Sequence, residues 1–211
     1  MENISNIRYG ALPSNSPYIK PFRMRYVQDG ITKDADLLKV HDSVCIIIYN
    51  RTTKKLIFVR QFRPAVYYAA VSENGSETDD NVNSTKYPPK LAITLELCAG
   101  IVDKDLPLKE IAREEILEEC GFNISSDRIE EVMTYRSGVD TTGATQTMFY
   151  CEVTDDDRVT AGGGIDDEII EVIELPMDEV EHMVKTGANV VSPPSFLLGV
   201  LWFLSNKKPQ Q

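Results

Sequence analysis

The stretch GIVDKDLPLKEIAREEILEECGF, residues 100–122, decides how this chain is read. It holds a strand end, a loop, a helix and a glycine stop in one compact unit. On a wheel of about 100° per residue, Leu108, Ile111, Ala112 and Ile116 share one apolar sector, the face that meets a core. Glu115 and Glu119 fall in the middle of that sector and Glu118 at its edge, while Lys109, Glu110 and Arg113 point to the solvent side. Gly121 then supplies the residue type that ends a helix in the left-handed conformation.

Carboxylates four residues apart repel one another, and burying them unpaired is costly, so a purely structural helix has no reason to place them inward. No lysine or arginine lies on the same face. That leaves a hard divalent cation as partner, because ligands that are all oxygen suit Mg²⁺ or Mn²⁺. The wheel alone keeps a second reading open, in which the helix rotates and its glutamates face solvent.

Working outward, residues 93–97 read as a strand ending at Ala99-Gly100, and residues 44–49 (VCIIIY) and 56–61 (LIFVRQ) as strong strands joined by a turn at residues 50–53. Further strands are expected at 128–135, 145–153 and 169–175, and helices at 177–185 and 195–205. Residues 18–27 alternate like a strand, Asp29-Gly30 is a hairpin turn signal, and a polar strand follows to residue 38. Strands mixed with three helices, without regular strand–helix alternation, predict an α+β fold. Residues 1–40 form an N-terminal antiparallel element and residues 41–211 the main domain. Around residues 72–89 the composition falls to Ser, Asn, Asp and Gly, which reads as a mobile surface insertion without chemistry.

The chain has 211 residues, 42% of them hydrophobic, enough for one domain with a substantial core. With 33 acidic and 22 basic residues the net charge is -11, which argues against nucleic acid or an anionic membrane as the main partner. The longest apolar stretch, residues 196–204, is far shorter than the ~20 residues of a membrane span. Cys45, Cys98, Cys120 and Cys151 are scattered among apolar neighbours with no CxxC pair, the pattern of reduced, buried thiols in a cytoplasmic protein.

Residues 100–122 resemble the Nudix box: Gly, five residues, Glu, seven residues, then Arg-Glu-apolar-x-Glu-Glu-x-Gly-apolar. Gly100, Glu115, Ile116, Glu118, Glu119, Gly121 and Phe122 fall on pattern positions. Two positions depart: Leu106 stands for the first Glu, and Glu114 for the Arg that in the family helps orient the metal-binding carboxylates. The resemblance continues in residues 41–44 (HDSV), 59–67 (VRQFRPAVY), 96–100 (ELCAG), 137–153 (SGVDTTGATQTMFYCEV) and 199–205 (GVLWFLS). Together these look like the sugar-nucleotide and ADP-ribose pyrophosphatase group, in particular its UDP-glucose branch.

The resemblance implies a Nudix fold, a mixed β-sheet sandwiched between helices. It also implies hydrolysis of the diphosphate of a nucleoside diphosphate sugar, with Mg²⁺ or Mn²⁺ held by Glu115, Glu118, Glu119 and the Ala99 carbonyl. It assigns Arg63, with Gln61 beside it, to the substrate diphosphate. Of the carboxylates after the glycine run at 162–164, it favours Glu168 as general base, ahead of Asp166, with Glu118 also catalytic and the glycines serving as a flexible hinge. Gly143 stands where ADP-ribose enzymes often carry a glutamate, which favours another sugar nucleotide. A homodimer is implied, with the N-terminal sheet reaching the partner's site. Two rival readings are an ADP-ribose pyrophosphatase and a non-catalytic nucleotide-binding module.

Overall fold

A computed structural model of the chain describes residues 3–73, 82–186 and 191–208. Its centre is strand β3 (Ser43–Asn50), whose continuous apolar run is buried on both faces. Val44, Ile46 and Ile48 point into one core, and Cys45, Ile47 and Tyr49 into another. Such a run is what a strand covered on both sides requires.

Strand β4 (Lys55–Phe62) follows through the expected turn and pairs antiparallel with β3 only over Lys55–Ile57. The two strands then diverge, and the gap is filled from both sides. Strand β5 (Ile93–Glu96) pairs with the far half of β4, and strand β6 (Cys98–Ile101) with the near half of β3. The expected single strand ending at Gly100 is therefore two, broken at Leu97, because its halves serve different neighbours. On its other edge β3 runs parallel to strand β8 (Thr145–Val153), which carries strand β7 (Ile129–Arg136) in turn. Strand β9 (Glu171–Pro176) closes the outer edge of β4.

Helices cover both faces of this seven-stranded mixed sheet. Helix α1 (Pro64–Ser72) follows β4 directly and was not expected from the sequence. It is short and nearly all apolar, so it shows no amphipathic period, and only Tyr67 and Val71, one turn apart, are buried. Helix α2 (Leu108–Cys120) has the expected bounds and packs Ile111, Ala112, Ile116 and Cys120 onto the first core. Helices α3 (Met177–Thr186) and α4 (Pro194–Asn206) cover the second core with Val180, Phe196, Val200 and Phe203. The fold is thus α+β, a mixed sheet between helices, as expected.

The antiparallel N-terminal element is present as strands β1 (Lys20–Gln28) and β2 (Ile31–Lys39). Asp29 and Gly30 both have positive φ, the conformation a two-residue hairpin turn needs. Arg23 and Arg25 form ion pairs with Asp36 and Asp34 across one face, and Phe22, Met24 and Tyr26 occupy the other, exposed. Ahead of the hairpin, the segment from Asn3 to Tyr9 lies along α1: Ile7 packs on the Tyr67 and Val71 cluster, and the Tyr9 ring meets Tyr68 edge-on at 5.2 Å.

Part of the insertion expected at 72–89 (residues 74–81) lies outside the described residues. In the remainder, Tyr87 is buried and its backbone carbonyl accepts a hydrogen bond from the Tyr67 hydroxyl at 2.5 Å. All four cysteines are free and buried, as expected. No helix among the described residues is long and apolar enough to cross a membrane.

Candidate active site

Helix α2 turns its glutamates toward the sheet, as the wheel predicts. Glu119 is 4% exposed, and its carboxylate accepts a hydrogen bond from the Ala99 backbone N–H at 2.9 Å. Glu115 lies against β6: a Cβ on Gly100 would fall 1.9 Å from its Oε1, so any larger residue there would push the carboxylate aside. Glu118 is half-buried at the edge of the group, as expected. Leu108 departs from the wheel and is 37% exposed.

Burial pushes the Glu115 carboxyl up to about 7, helped by the nearby Glu118 and Glu168 charges and opposed by Lys104. Burial likewise pushes Glu119 up to about 8, against the lowering effect of the Ala99 N–H and Cys98, with Glu115 and Glu168 raising it further. Glu118 is also raised, chiefly by burial. These shifts are the signature of carboxylates deprived of water and sharing one field.

Glu168 reaches that field through the end of α2. Gly121 adopts the left-handed conformation, and its carbonyl accepts from Val159 N–H, while Gly163 and Gly164 N–H donate to the carbonyls of Glu119 and Glu118 at 2.8 and 3.0 Å. The open carbonyls of a helix end are thereby satisfied by an incoming loop. All three glycines at 162–164 have positive φ, and a Cβ on Gly162 would lie 2.2 Å from the Glu119 carbonyl oxygen. The hinge expected for this run is therefore corrected: close backbone approach and fixed left-handed geometry account for the glycines. Beyond them, the Glu168 carboxylate accepts from Ile165 N–H at 3.1 Å, which closes a tight turn. Asp166 sits in the same turn with φ of 50°, exposed, and its charge raises the Glu118 carboxyl.

Arg63, where β4 meets α1, enters from the other side. Its Nε and one Nη donate to both carboxylate oxygens of Glu96 at 2.7 and 2.6 Å, and Thr94 Oγ1 donates to Glu96 Oε1 at 2.5 Å. Glu96 is 5% exposed, so this is a locked fork in which the carboxylate orients the guanidinium and leaves three of its five N–H groups free of Glu96. The charges of Glu119 and Glu168 also raise the Arg63 pKa, behind the larger effect of Glu96. Gln61 lines a cavity of about 480 Å³ together with Glu168, Phe62 and Asp167.

Two contributors to this arrangement were not found from the sequence. Glu96 lies in one of the runs that carry the resemblance, but only pairing across β4 and β5 brings it under Arg63. Lys104, in the loop before α2, donates to Glu114 Oε2 at 2.6 Å and lowers the carboxyls of Glu115 and Glu118.

Among the described residues no three Asp, Glu, His or Cys side chains already stand in a closed metal-holding group. The donor chemistry nevertheless fits a hard divalent cation. Every candidate ligand is an oxygen, burial opposes the negative charge of Glu115 and Glu119, and the cations whose fields reach the group, Lys104 and Arg63, are each paired with another glutamate. Such a cluster, once it holds a divalent cation, and the fixed arginine beside it would offer positive charge to phosphoryl oxygens, and a separate carboxylate can take a proton from water.

No family model matches the chain. It is 39% identical over 219 residues to the uridine diphosphate glucose pyrophosphatase NUDT14 of Mus musculus, covering 99% of this chain and 98% of that protein. It is 38% identical over 219 residues to the protein of the same name from Bos taurus, with the same coverage. Over 144 residues it is 33% identical to the GDP-mannose pyrophosphatase of Citrobacter koseri, covering 67% of this chain and 63% of that protein.

Proposed function

This chain belongs to the Nudix hydrolase family, and from that premise we propose that it hydrolyses the diphosphate of UDP-glucose to UMP and glucose 1-phosphate. The observation that carries the reading is the convergence of Glu115, Glu118 and Glu119 with Glu168 in one electrostatic field that also reaches Arg63. Full-length similarity to two UDP-glucose pyrophosphatases supports the substrate.

The divalent cation is Mg²⁺, with Mn²⁺ able to replace it. Glu115, Glu118, Glu119 and the Ala99 carbonyl would hold it. When bound it supplies positive charge to the phosphoryl oxygens and makes water more acidic. Arg63, held by Glu96, offers its remaining N–H groups to the diphosphate, and Gln61 borders the same cavity. Glu168 accepts the proton of the attacking water, with Asp166 next to it in the turn. The water oxygen bonds to one phosphorus, the bridging P–O bond breaks, and the two halves leave as monophosphates.

We further propose a cytoplasmic homodimer. Four buried free thiols support the compartment. The uncovered Phe22, Met24 and Tyr26 face of the hairpin supports an association through it.

The test is direct: purified protein is given UDP-glucose, ADP-ribose or GDP-mannose, with Mg²⁺ and with EDTA, and released monophosphates are identified. Preferential Mg²⁺-dependent formation of UMP and glucose 1-phosphate is expected. Faster turnover of ADP-ribose, or binding of all three with turnover of none, overturns the reading.

A further inference from the structure

The cavity beside Glu168 has one wall that comes from an unexpected part of the chain. Its lining joins Gln61 and Phe62 at the end of β4 and Asp167 and Glu168 in the turn before β9 to Asn3 and Ile4, from the N-terminal segment. That segment follows a defined path. The carbonyl of Ile7 accepts from Val82 N–H at 3.1 Å, the Ile7 side chain packs on Tyr67 and Val71, and Tyr9 abuts Tyr68. Asn6, with φ of 56°, turns the chain between this anchor and the cavity, a conformation asparagine tolerates better than most residues. Asn3 and Ile4 are thus delivered to the site by a strap fastened along α1.

The chemistry of the lining discriminates between the two ends of a nucleoside diphosphate sugar. Asp167 and Glu168 as carboxylates only accept hydrogen bonds, and Asn3 and Gln61 can accept or donate. Each free hydroxyl of a hexose can donate to such a wall, and Ile4 and Phe62 offer an apolar surface to its C–H face. The pairing edge of uracil presents two carbonyl acceptors around one N–H, and carboxylates repel those acceptors. We propose that the N-terminal strap, through Asn3 and Ile4, forms the hexose subsite and sets sugar selectivity. This inference rests on the nucleotide-sugar reading above and adds to it which end of the substrate occupies this cavity.

The experiment uses the full chain carrying Asn3→Ala or Ile4→Ser, with UDP-glucose, UDP-galactose and CDP-glucose as probes. The first two differ in one sugar hydroxyl, and the first and third in the base. Loss of a sugar contact raises KM for UDP-glucose about fivefold, with kcat within about twofold of wild type. The preference for UDP-glucose over UDP-galactose falls by about the same factor, and the preference over CDP-glucose stays unchanged. Calorimetric Kd values on the same proteins report these ratios whether or not turnover occurs, and unfolding midpoints show that the fold is intact. A shift in base preference with sugar preference intact, unchanged values in both variants, or no binding of any probe by the wild type overturns the subsite. Wild-type binding with selectivity as described, but no turnover, instead removes the hydrolase reading and leaves the subsite standing.

Discussion

Lys104 donates to Glu114 at 2.6 Å, tying the loop before α2 to the helix that carries the candidate metal ligands. The family pattern places an arginine at the Glu114 position, so the charge here is inverted: the helix supplies the anion and the loop supplies the cation. Lys104 also lowers the carboxyls of Glu115 and Glu118, an effect expected of a nearby positive charge.

A double-mutant cycle measures this tie. Lys104→Ala and Glu114→Ala should each lower stability slightly, with a coupling energy of about 0.5 kcal/mol for a partly exposed pair. The exchange Lys104→Glu with Glu114→Lys should recover most of what Lys104→Glu alone loses. Urea unfolding of the four proteins checks both, and strictly additive losses would show that the pair does not hold the loop.

Glu168→Gln keeps an oxygen that can accept from Ile165 N–H, so the turn should survive with its unfolding midpoint within about 2 °C of wild type, a difference of less than ~1 kcal/mol. Turnover of UDP-glucose should fall about a hundredfold or more if Glu168 takes the proton. Full activity in the variant would assign the base elsewhere, with Asp166 next to be substituted.

Arg63→Ala leaves Glu96, 5% exposed, as a buried carboxylate whose charge no longer has its fork, and should cost about 3 kcal/mol of stability. Glu96→Gln frees the guanidinium instead. KM for UDP-glucose should rise about tenfold, with a smaller effect on kcat, as the arginine loses its fixed direction. Denaturation curves and steady-state kinetics separate the two consequences, and an unchanged KM in both variants would remove Arg63 from the substrate site.

Metal-free protein should lose stability as pH rises. Folded Glu115 and Glu119 titrate near about 7 and about 8, above the ordinary carboxyl value of 4.5, so the native state holds protons that the unfolded chain releases. Their favourable contribution is complete below 4.5 and is lost as pH climbs through 7 and 8. Asp157, held low by Arg128, acts in the opposite direction and only at pH below the carboxylate range. A drop in unfolding midpoint of roughly 5 °C between pH 5 and pH 8 in EDTA is expected. Glu115→Gln should flatten the profile and Mg²⁺ should restore the midpoint at pH 8. An equally steep profile in Glu115→Gln would place the titration elsewhere.

Helix α2 was legible to the residue because its pattern is local: apolar spacing at one end and a glycine stop at the other. β3 was legible because a strand buried on both faces has an unbroken apolar run. β6 was not, since nothing between Leu95 and Ile101 signals that pairing changes from β4 to β3 at Leu97. α1 stayed hidden for want of a polar face. The site divides the same way. Glu115, Glu118 and Glu119 announced themselves by their place on the wheel, whereas Glu96 beneath Arg63, Lys104 beside Glu114, and Asn3 and Ile4 at the cavity are products of tertiary pairing that no spacing encodes.

The fastening of the glycine run to the end of α2 makes the helix and the turn that follows it one mechanical body. Moving Gly163 and Gly164 away from the end of α2 would break two backbone bonds and strip two helix-end carbonyls. The candidate base and the candidate ligands are therefore built onto one framework. The opposite bank of the cavity is fastened differently: the strap meets the body through the Ile7 side chain, the Tyr9 ring and the main-chain bond at the Ile7 carbonyl.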